Sequence, residues 1–486
     1  MIQVYNTLDR RLEPLQTARP GEVRIYSCGV TVYDLSHVGH ARSAIVFDVM
    51  QRYLRAKGYR VTFVRNYTDI DDKIIRRAQA EGVAASDVSE RFIAEFRADM
   101  ASIGVYEADV EPKATAHVAE MIALIETLIG KGVAYVVDGD VYFEIARFPG
   151  YGKLSGKNLD ELLAGARVDV DERKRDPRDF ALWKSSKPGE PSWPSPWGPG
   201  RPGWHIECSA MAMKYLGRSF EIHGGGDDLI FPHHECEIAQ TEAATGVAFA
   251  SYWLHNGMVN MGAEKMSKSL GNILTIKEIV KRCAPDALRL WLLNTHYRNP
   301  IDFSEERLTE NARALERFQQ VISEARKSEP EAFFEVARPS RLGDPTPWAI
   351  ALGDVPAASP LRAAAAAACE RFEAAMDDDF GTPKARAALF GLAAELDAFR
   401  RDGGDPFAFA RGVRVLVVLG RALGLFEKLP DVSGPPPEVE RLLAERTEAR
   451  TRRDFKRADV LRDEIQRLGW SLEDTPSGPR VTRTRG

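Results

Sequence analysis

Two short segments far apart in the chain carry side chains suited to a polyphosphate. His37-Val38-Gly39-His40 sets two imidazoles three residues apart, between a predicted strand and a predicted helix. A helix start presents unpaired backbone N–H groups and a partial positive end. His37 and His40 would add donors there for phosphate oxygens, and Gly39 leaves room for a nucleotide to approach closely. Lys265-Met266-Ser267-Lys268-Ser269 lies in a polar, hydroxyl-rich loop. Ammonium groups on such a loop can close on a transferring phosphoryl group and stabilise the charge that grows in the transition state. Each segment alone also reads as an ordinary solvated stretch. Together, and in this order, they point to an enzyme that activates a carboxylate with ATP.

A second set of residue types is suited to a metal. Cys28, Cys208, His233, His234 and Cys236 are soft donors, and Glu235 and Glu237 stand beside them. His233 and Glu237 are four apart and share a face if this stretch is helical. Cys236, three residues after His233, competes with Glu237 for the same role, and a thiolate is the stronger ligand for a borderline-soft cation. Each cysteine is equally well read as a small buried hydrophobe.

The elements that must position these groups follow from periodicity. Residues 22–28 read as a strand, 37–57 as a helix with apolar residues at helical spacing, and 60–67 as a second strand. This is a βαβ unit of about 45 residues, the building block of a doubly wound nucleotide-binding sheet. Thr68 falls at the end of the second strand, where ligands approach a parallel sheet. Residues 113–131 read as a helix and 133–145 as a hairpin turning at Asp138-Gly139-Asp140. A Pro-, Gly- and Trp-rich loop covers 189–203, and Trp204 follows it as either a pocket wall or a packing residue. Residues 328–360 read as a surface excursion or linker, 361–425 as Ala-rich helices, 430–437 as a linker, and 438–468 as one basic helix. The expected fold class is α/β: a doubly wound, Rossmann-like parallel sheet with an inserted domain, an α-helical bundle and a small C-terminal module. The expected boundaries are 1–113 with 201–300, 114–200, 301–428 and 438–486.

At 486 residues the chain is too long for a single core. No apolar run reaches the length of a membrane span, and the N-terminus has no signal-peptide pattern, so no membrane partner is expected. Five widely spaced cysteines do not form a disulfide framework, which fits a reducing, cytoplasmic setting. A net charge of -5 argues against an indiscriminate nucleic-acid binder, though local patches decide specific partners.

The two phosphate segments resemble those of class I aminoacyl-tRNA synthetases. The likeness is closer still to the cysteinyl-tRNA synthetase family. It is carried by Cys28-Gly29-Val30-Thr31-Val32-Tyr33-Asp34, Gly203-Trp204-His205-Ile206-Glu207-Cys208-Ser209, His223-Gly224-Gly225-Gly226-Asp227-Asp228-Leu229 and Phe231-Pro232-His233-His234-Glu235. The resemblance implies catalytic and ATP-binding roles for His37, His40, Lys265 and Lys268, with Gly39 also at the nucleotide. It implies one Zn²⁺ per chain on Cys28, Cys208, His233 and Glu237, and Mg²⁺ accompanying ATP. Cys236 stands where the family more often has a non-ligand such as Asn. The open zinc position would take the sulfur of L-cysteine, and Gly29, Thr68 and Trp204 would surround it. Asp228 would meet the substrate ammonium or the ATP ribose. His205 and His223 either extend a histidine cluster or are hydrogen-bonded core residues.

At the C-terminus, Phe455-Lys456-Arg457-Ala458-Asp459 and the 469–478 segment resemble the family's anticodon module. The implied tRNA contacts are Arg452, Arg453, Lys456 and Arg457, with Trp470 as a stacking or a core residue. The expected activity is ATP-dependent activation of L-cysteine and transfer to the terminal ribose of tRNA-Cys by a monomer. Two alternatives remain at this level: a cysteine ligase acting on an amino-sugar amine, which needs no anticodon module, and an inactive RNA-binding paralogue.

Overall fold

Four parallel strands form the sheet on which the site is built. Their spatial order is Ala250–Asn256, Phe220–Gly226, Glu22–Thr31, Arg60–Thr68. The first strand in sequence is central, and the chain winds outward from it in both directions. The crevice beside it at the carboxyl edge is therefore the topological switch point, where such sheets bind ligands. Strand Glu22–Thr31 alternates as a two-sided sheet requires: Val23 and Ile25 enter one buried cluster, and Tyr26 the other, against which Cys28 packs.

The computed structural model describes residues 1–156, 173–261, 264–265, 274–329, 331–430, 432, 435–475 and 478–483. It divides into two compact units, Met1–Leu429 and Pro430–Gly486. In the first unit, helix Val38–Ala56 crosses one face of the sheet and buries Val38, Ala41, Ile45, Val49 and Tyr53. On the other face lie helices Trp204–Leu216 and Glu235–Thr245, together with a four-stranded antiparallel sheet. That sheet is formed by Ala134–Val137, Asp140–Phe143, Phe180–Ser185 and Gly200–Pro202. Its first hairpin turns at Asp138-Gly139 with both residues at positive φ (50° and 86°), the conformation that a tight two-residue hairpin demands. Helices Glu305–Arg326, Pro360–Asp377, Thr382–Arg401 and Pro406–Ala422 make the bundle, which shares a continuous core with the sheet. None of the described helices is long and apolar enough to cross a membrane.

Two expectations change. Residues 328–360 are not a detached linker: Phe334, Trp348 and Val355 are buried in the main core. Trp348 stacks on Tyr53 with ring centroids 5.9 Å apart and donates Nε1–H to Glu373 at 3.1 Å. Three large apolar side chains outweigh the polar composition of the segment around them. The predicted single helix over 438–468 is two helices, Pro437–Thr451 and Phe455–Arg467. Arg453 takes a left-handed conformation (φ 64°), and Asp454 caps the second helix by accepting the Arg457 N–H at 3.1 Å. The helices pack with a Trp470–Thr475/Gly478–Arg483 hairpin around Val439, Leu442, Leu461 and Ile465.

Candidate active site and metal cluster

The sequence turns strand Glu22–Thr31 at its carboxyl end through a register shift between Ser27 and Val30. The bulge re-aims Cys28. Gly29 is obligatory there, because a Cβ would lie 1.6 Å from the Asn66 carbonyl oxygen. Asn66 stitches the bulge: its Oδ1 accepts the Gly29 N–H at 2.8 Å and lies 3.7 Å from Cys208 Sγ.

Opposite Cys28, helix Trp204–Leu216 brings Cys208, the turn before helix Glu235–Thr245 brings His233, and the first turn of that helix brings Glu237. Ligand atoms of Cys28, Cys208, His233 and Glu237 all lie within 4.8 Å of one another. Cys28 Sγ is 3.7 Å from Cys208 Sγ and 3.3 Å from Glu237 Oε1, while His233 Nε2 is 3.1 Å from the same carboxylate oxygen. The other oxygen of Glu237 meets His223 Nε2 at 2.8 Å. A second grouping, Cys28, His223, His234 and Glu237, shares two of these donors but has only one thiol.

Around the cluster the imidazoles form pairs. His205 Nδ1 faces His233 Nδ1 at 3.0 Å, and His234 Nδ1 faces His255 Nε2 at 2.8 Å. Burial pushes the values of His205, His233 and His255 down to about 3, so these rings are neutral near pH 7, the state in which imidazole binds metal. Burial also raises the Cys28 and Cys208 thiols, an effect that a bound cation would reverse. Cys236 is directed elsewhere: its Sγ is 3.2 Å from the Tyr151 hydroxyl. None of the five cysteines is in a disulfide.

The cluster opens on a cleft of about 350 Å³, lined among others by Cys28, Gly29, His37, Gly39, His40, Trp204 and Asp228. Trp204, 39% exposed, stacks on His233 with ring centroids 4.2 Å apart. Thr68 is not among the residues that line the cleft; it is buried and donates its hydroxyl to Glu207 at 2.9 Å.

His37 and His40 form a reciprocal cap on helix Val38–Ala56. His37 Nδ1 accepts the Gly39 N–H at 3.1 Å, and His40 Nδ1 accepts the His37 N–H at 3.2 Å. Both Nδ1 atoms thus act as acceptors, which in the neutral rings puts the proton on Nε2. The two imidazoles stack, with centroids 3.8 Å apart.

Lys265 pairs through its backbone with Asn260, and Lys268 lies outside the described residues. The chain that follows returns to the histidine helix: Val38 N–H bonds Leu274 O and Ile276 N–H bonds Ser36 O, each at 3.0 Å. The flanks of the lysine segment are therefore tied to the same edge of the sheet.

Lys73 was not singled out by sequence reasoning, and Phe455 entered it only as part of a motif. Lys73 lines the cleft with its ammonium 5.2 Å from the Tyr33 ring. Its only sequence signal is its place after Asp71-Asp72 at a helix start. In the second unit, the 61%-exposed Phe455 opens a helix between Arg452-Arg453 and Lys456-Arg457, whereas Trp470 is half-buried against the module's core. Exposure, which the sequence does not report, separates the two rings.

The family described as "tRNA synthetases class I (C) catalytic domain" matches residues 14–313. A DALR domain matches 371–427, and "Cysteinyl-tRNA ligase anticodon binding domain" matches 433–479. Among solved structures, a Mycobacterium tuberculosis methionyl-tRNA synthetase in complex with methionyl-adenylate superposes with a TM-score of 0.57 at 16% identity, covering 83% of this chain and 89% of that one. An Agrobacterium radiobacter K84 LeuRS–tRNA–LeuAMS complex gives 0.59 at 13% identity, over 86% and 87% of the two chains. A parallel sheet with a histidine-capped helix at its carboxyl edge and a helical bundle behind it is the architecture of a class I aminoacyl-tRNA synthetase. Similarity to curated relatives extends over nearly the whole length. Cysteine–tRNA ligase of Geobacter sulfurreducens is 50% identical and that of Pelobacter propionicus 48%, each over 98% of both chains. The chain belongs to the cysteine–tRNA ligase family.

Proposed function

We infer that this enzyme activates L-cysteine with ATP and transfers it to the 3′-terminal ribose of tRNA-Cys. The observation that carries the reading is the four-donor cluster at the head of the cleft whose other wall is the histidine-capped helix. The matched anticodon module supports the tRNA acceptor over an amino-sugar amine.

The donor set fits Zn²⁺. Tetrahedral bonds of about 2.3 Å to sulfur and 2.0–2.2 Å to N or O require edges of about 3.8 Å (S···S), 3.5 Å (S···O) and 3.3 Å (N···O). The corresponding separations are 3.7, 3.3 and 3.1 Å. Cys28, Cys208, His233 and Glu237 would hold a zinc ion, which by accepting one donor beyond these four would favour the thiolate of cysteine over the hydroxyl of serine. A requirement for one specific polar bond can discriminate by more than about 10⁴, against about 10² for an apolar pocket.

The protein's own groups do the rest by positioning. Trp204 covers His233 and walls the amino-acid end, and Asp228 receives the ammonium or the ribose. The substrate carboxylate attacks the α-phosphorus in line and pyrophosphate departs with Mg²⁺. His37 and His40 offer Nε2–H donors beside the helix N-terminus, and the Lys265 and Lys268 ammonium groups meet the charge growing on the phosphates. Arg452, Arg453, Lys456 and Arg457 hold tRNA phosphates. A single chain supplies every group named, which favours a monomer, and five unpaired thiols suit a reducing compartment such as the cytoplasm.

The test is cysteine-dependent ATP–pyrophosphate exchange and charging of a tRNA-Cys transcript, with serine and an amino-sugar acceptor in parallel. Charging with cysteine alone is expected. Exchange without charging, with cysteine passed to the sugar amine, would reverse the acceptor assignment.

A further inference from the structure

Arg42, five residues into the histidine-capped helix, is 1% exposed. Among the described residues no carboxylate bonds it. Its guanidinium instead donates to five backbone carbonyls: Nε to Gly257 at 3.0 Å, Nη1 to Leu292 at 3.1 Å, and Nη2 to His296 (3.2 Å), Tyr297 (3.2 Å) and Asn299 (2.7 Å). Burial lowers its value to about 10, which leaves it charged near pH 7. The Asp227 carboxylate favours its charged form from nearby, but a buried cation whose hydrogen bonds go to carbonyls is costly to keep. The carbonyls it gathers lie on three segments: the exit of strand Ala250–Asn256, the end of helix Pro285–Leu292, and the 296–299 turn.

Those segments lead directly to the second phosphate motif. Gly257 N–H bonds Tyr297 O at 2.8 Å and Ile301 N–H bonds Met258 O at 2.9 Å. A Cβ on Gly257 would sit 2.4 Å from the Asn299 carbonyl carbon, so the two backbones are in direct apposition. Strand Val259–Met261 then runs parallel to Ile301–Phe303 and pairs on its other side with Glu264–Lys265.

We propose that Arg42 is a positioning residue for adenylate formation: it locks the backbone that carries the lysine motif to the helix that carries His37 and His40. It touches no substrate. Its contribution is the relative placement of two phosphate-binding groups from distant parts of the sequence. The inference rests on the ATP-dependent activation proposed above. The wild-type exchange assay tests that activation independently of Arg42.

The experiment compares Arg42→Met and Arg42→Lys with wild type in pyrophosphate exchange, cysteine binding and thermal melting. A positioning role predicts folded variants that bind cysteine within about 3-fold of wild type. It predicts kcat for exchange down about 100-fold in Arg42→Met, with KM for cysteine unchanged, since small misplacements of reacting groups cost that much. Arg42→Lys keeps the charge but reaches fewer carbonyls and should fall between. A merely structural role would lower the melting temperature and reduce kcat only with the folded fraction, and that result overturns the proposal. If Arg42→Met does not fold, Arg42→Lys decides alone: wild-type kcat there overturns it, and a reduced kcat at unchanged KM for cysteine upholds it.

Discussion

The cluster at the head of the cleft turns on one carboxylate. Glu237 meets Cys28, His233 and His223, while Cys236, one residue earlier, is turned to the Tyr151 hydroxyl. Metal analysis of purified variants separates the two as ligands. Cys236→Ser should keep close to one zinc per chain, and Cys208→Ser should lose it in a mild chelator; zinc loss from Cys236→Ser would exchange the assignments. The buried imidazoles make a second prediction. Burial holds His205, His233 and His255 near 3, below the unfolded value of about 6.5. The unfolded chain therefore takes up protons first as pH falls, and stability present above about pH 6.5 is lost progressively toward pH 3, by up to about 1.4 kcal/mol per pH unit for each ring. Urea midpoints should fall between pH 7.5 and 5.5, and His255→Gln should flatten that slope; a flat wild-type profile would contradict it.

At the scale of elements, helix Val38–Ala56 does two jobs. Its first turn faces the cleft, and further along Asp48 anchors a buried ionic network. Asp48 pairs with Arg52 at 2.8 Å and with Arg289, and Arg52 pairs with Glu427 beyond the last bundle helix. Arg289 also donates to Ile103 O at 2.9 Å and to Leu423 O at 3.4 Å. Asp48→Asn leaves two buried guanidinium groups short of charge and should cost about 3–5 kcal/mol, read from urea unfolding. A loss below about 1 kcal/mol would mean that Glu427 and the carbonyls together satisfy the arginines. The elements themselves were largely legible beforehand. The βαβ unit appears where apolar periodicity puts it, and the His37 cap and Lys57 end agree with the predicted 37–57 span. The break at 452–454 was not legible, because it needs a left-handed arginine that no residue preference signals.

Across the whole molecule, two units carry distinguishable parts of the reaction. The first holds the cleft and cluster, and the second presents Phe455 among arginines and lysines. Phe455→Ala should lower kcat/KM for tRNA charging about 5- to 150-fold, the worth of one base–aromatic stack (about 1–3 kcal/mol), with pyrophosphate exchange unchanged. Trp470→Ala should instead destabilise the module, since it packs against that small core, formed by Val439, Leu442, Leu461 and Ile465. Equal loss of exchange and charging in Phe455→Ala would place its effect in folding rather than in tRNA binding.

The sequence by itself determined the class of chemistry. Two histidines at a helix start, a lysine-rich loop and a set of soft donors are local signals, because phosphate and metal recognition depend on residue type and short spacing. It also determined the elements, since burial of one face imposes a period. Tertiary structure alone decided which donors meet. Cys28 and Cys208 lie 180 residues apart in sequence and 3.7 Å apart in space, and only the sheet order with its bulge at Gly29 joins them. It alone decided that Cys236 turns away from Glu237, that Phe455 rather than Trp470 is exposed, and that Arg42 reaches five carbonyls. Each of these is set by packing between segments remote in sequence, where no local preference of the chain acts.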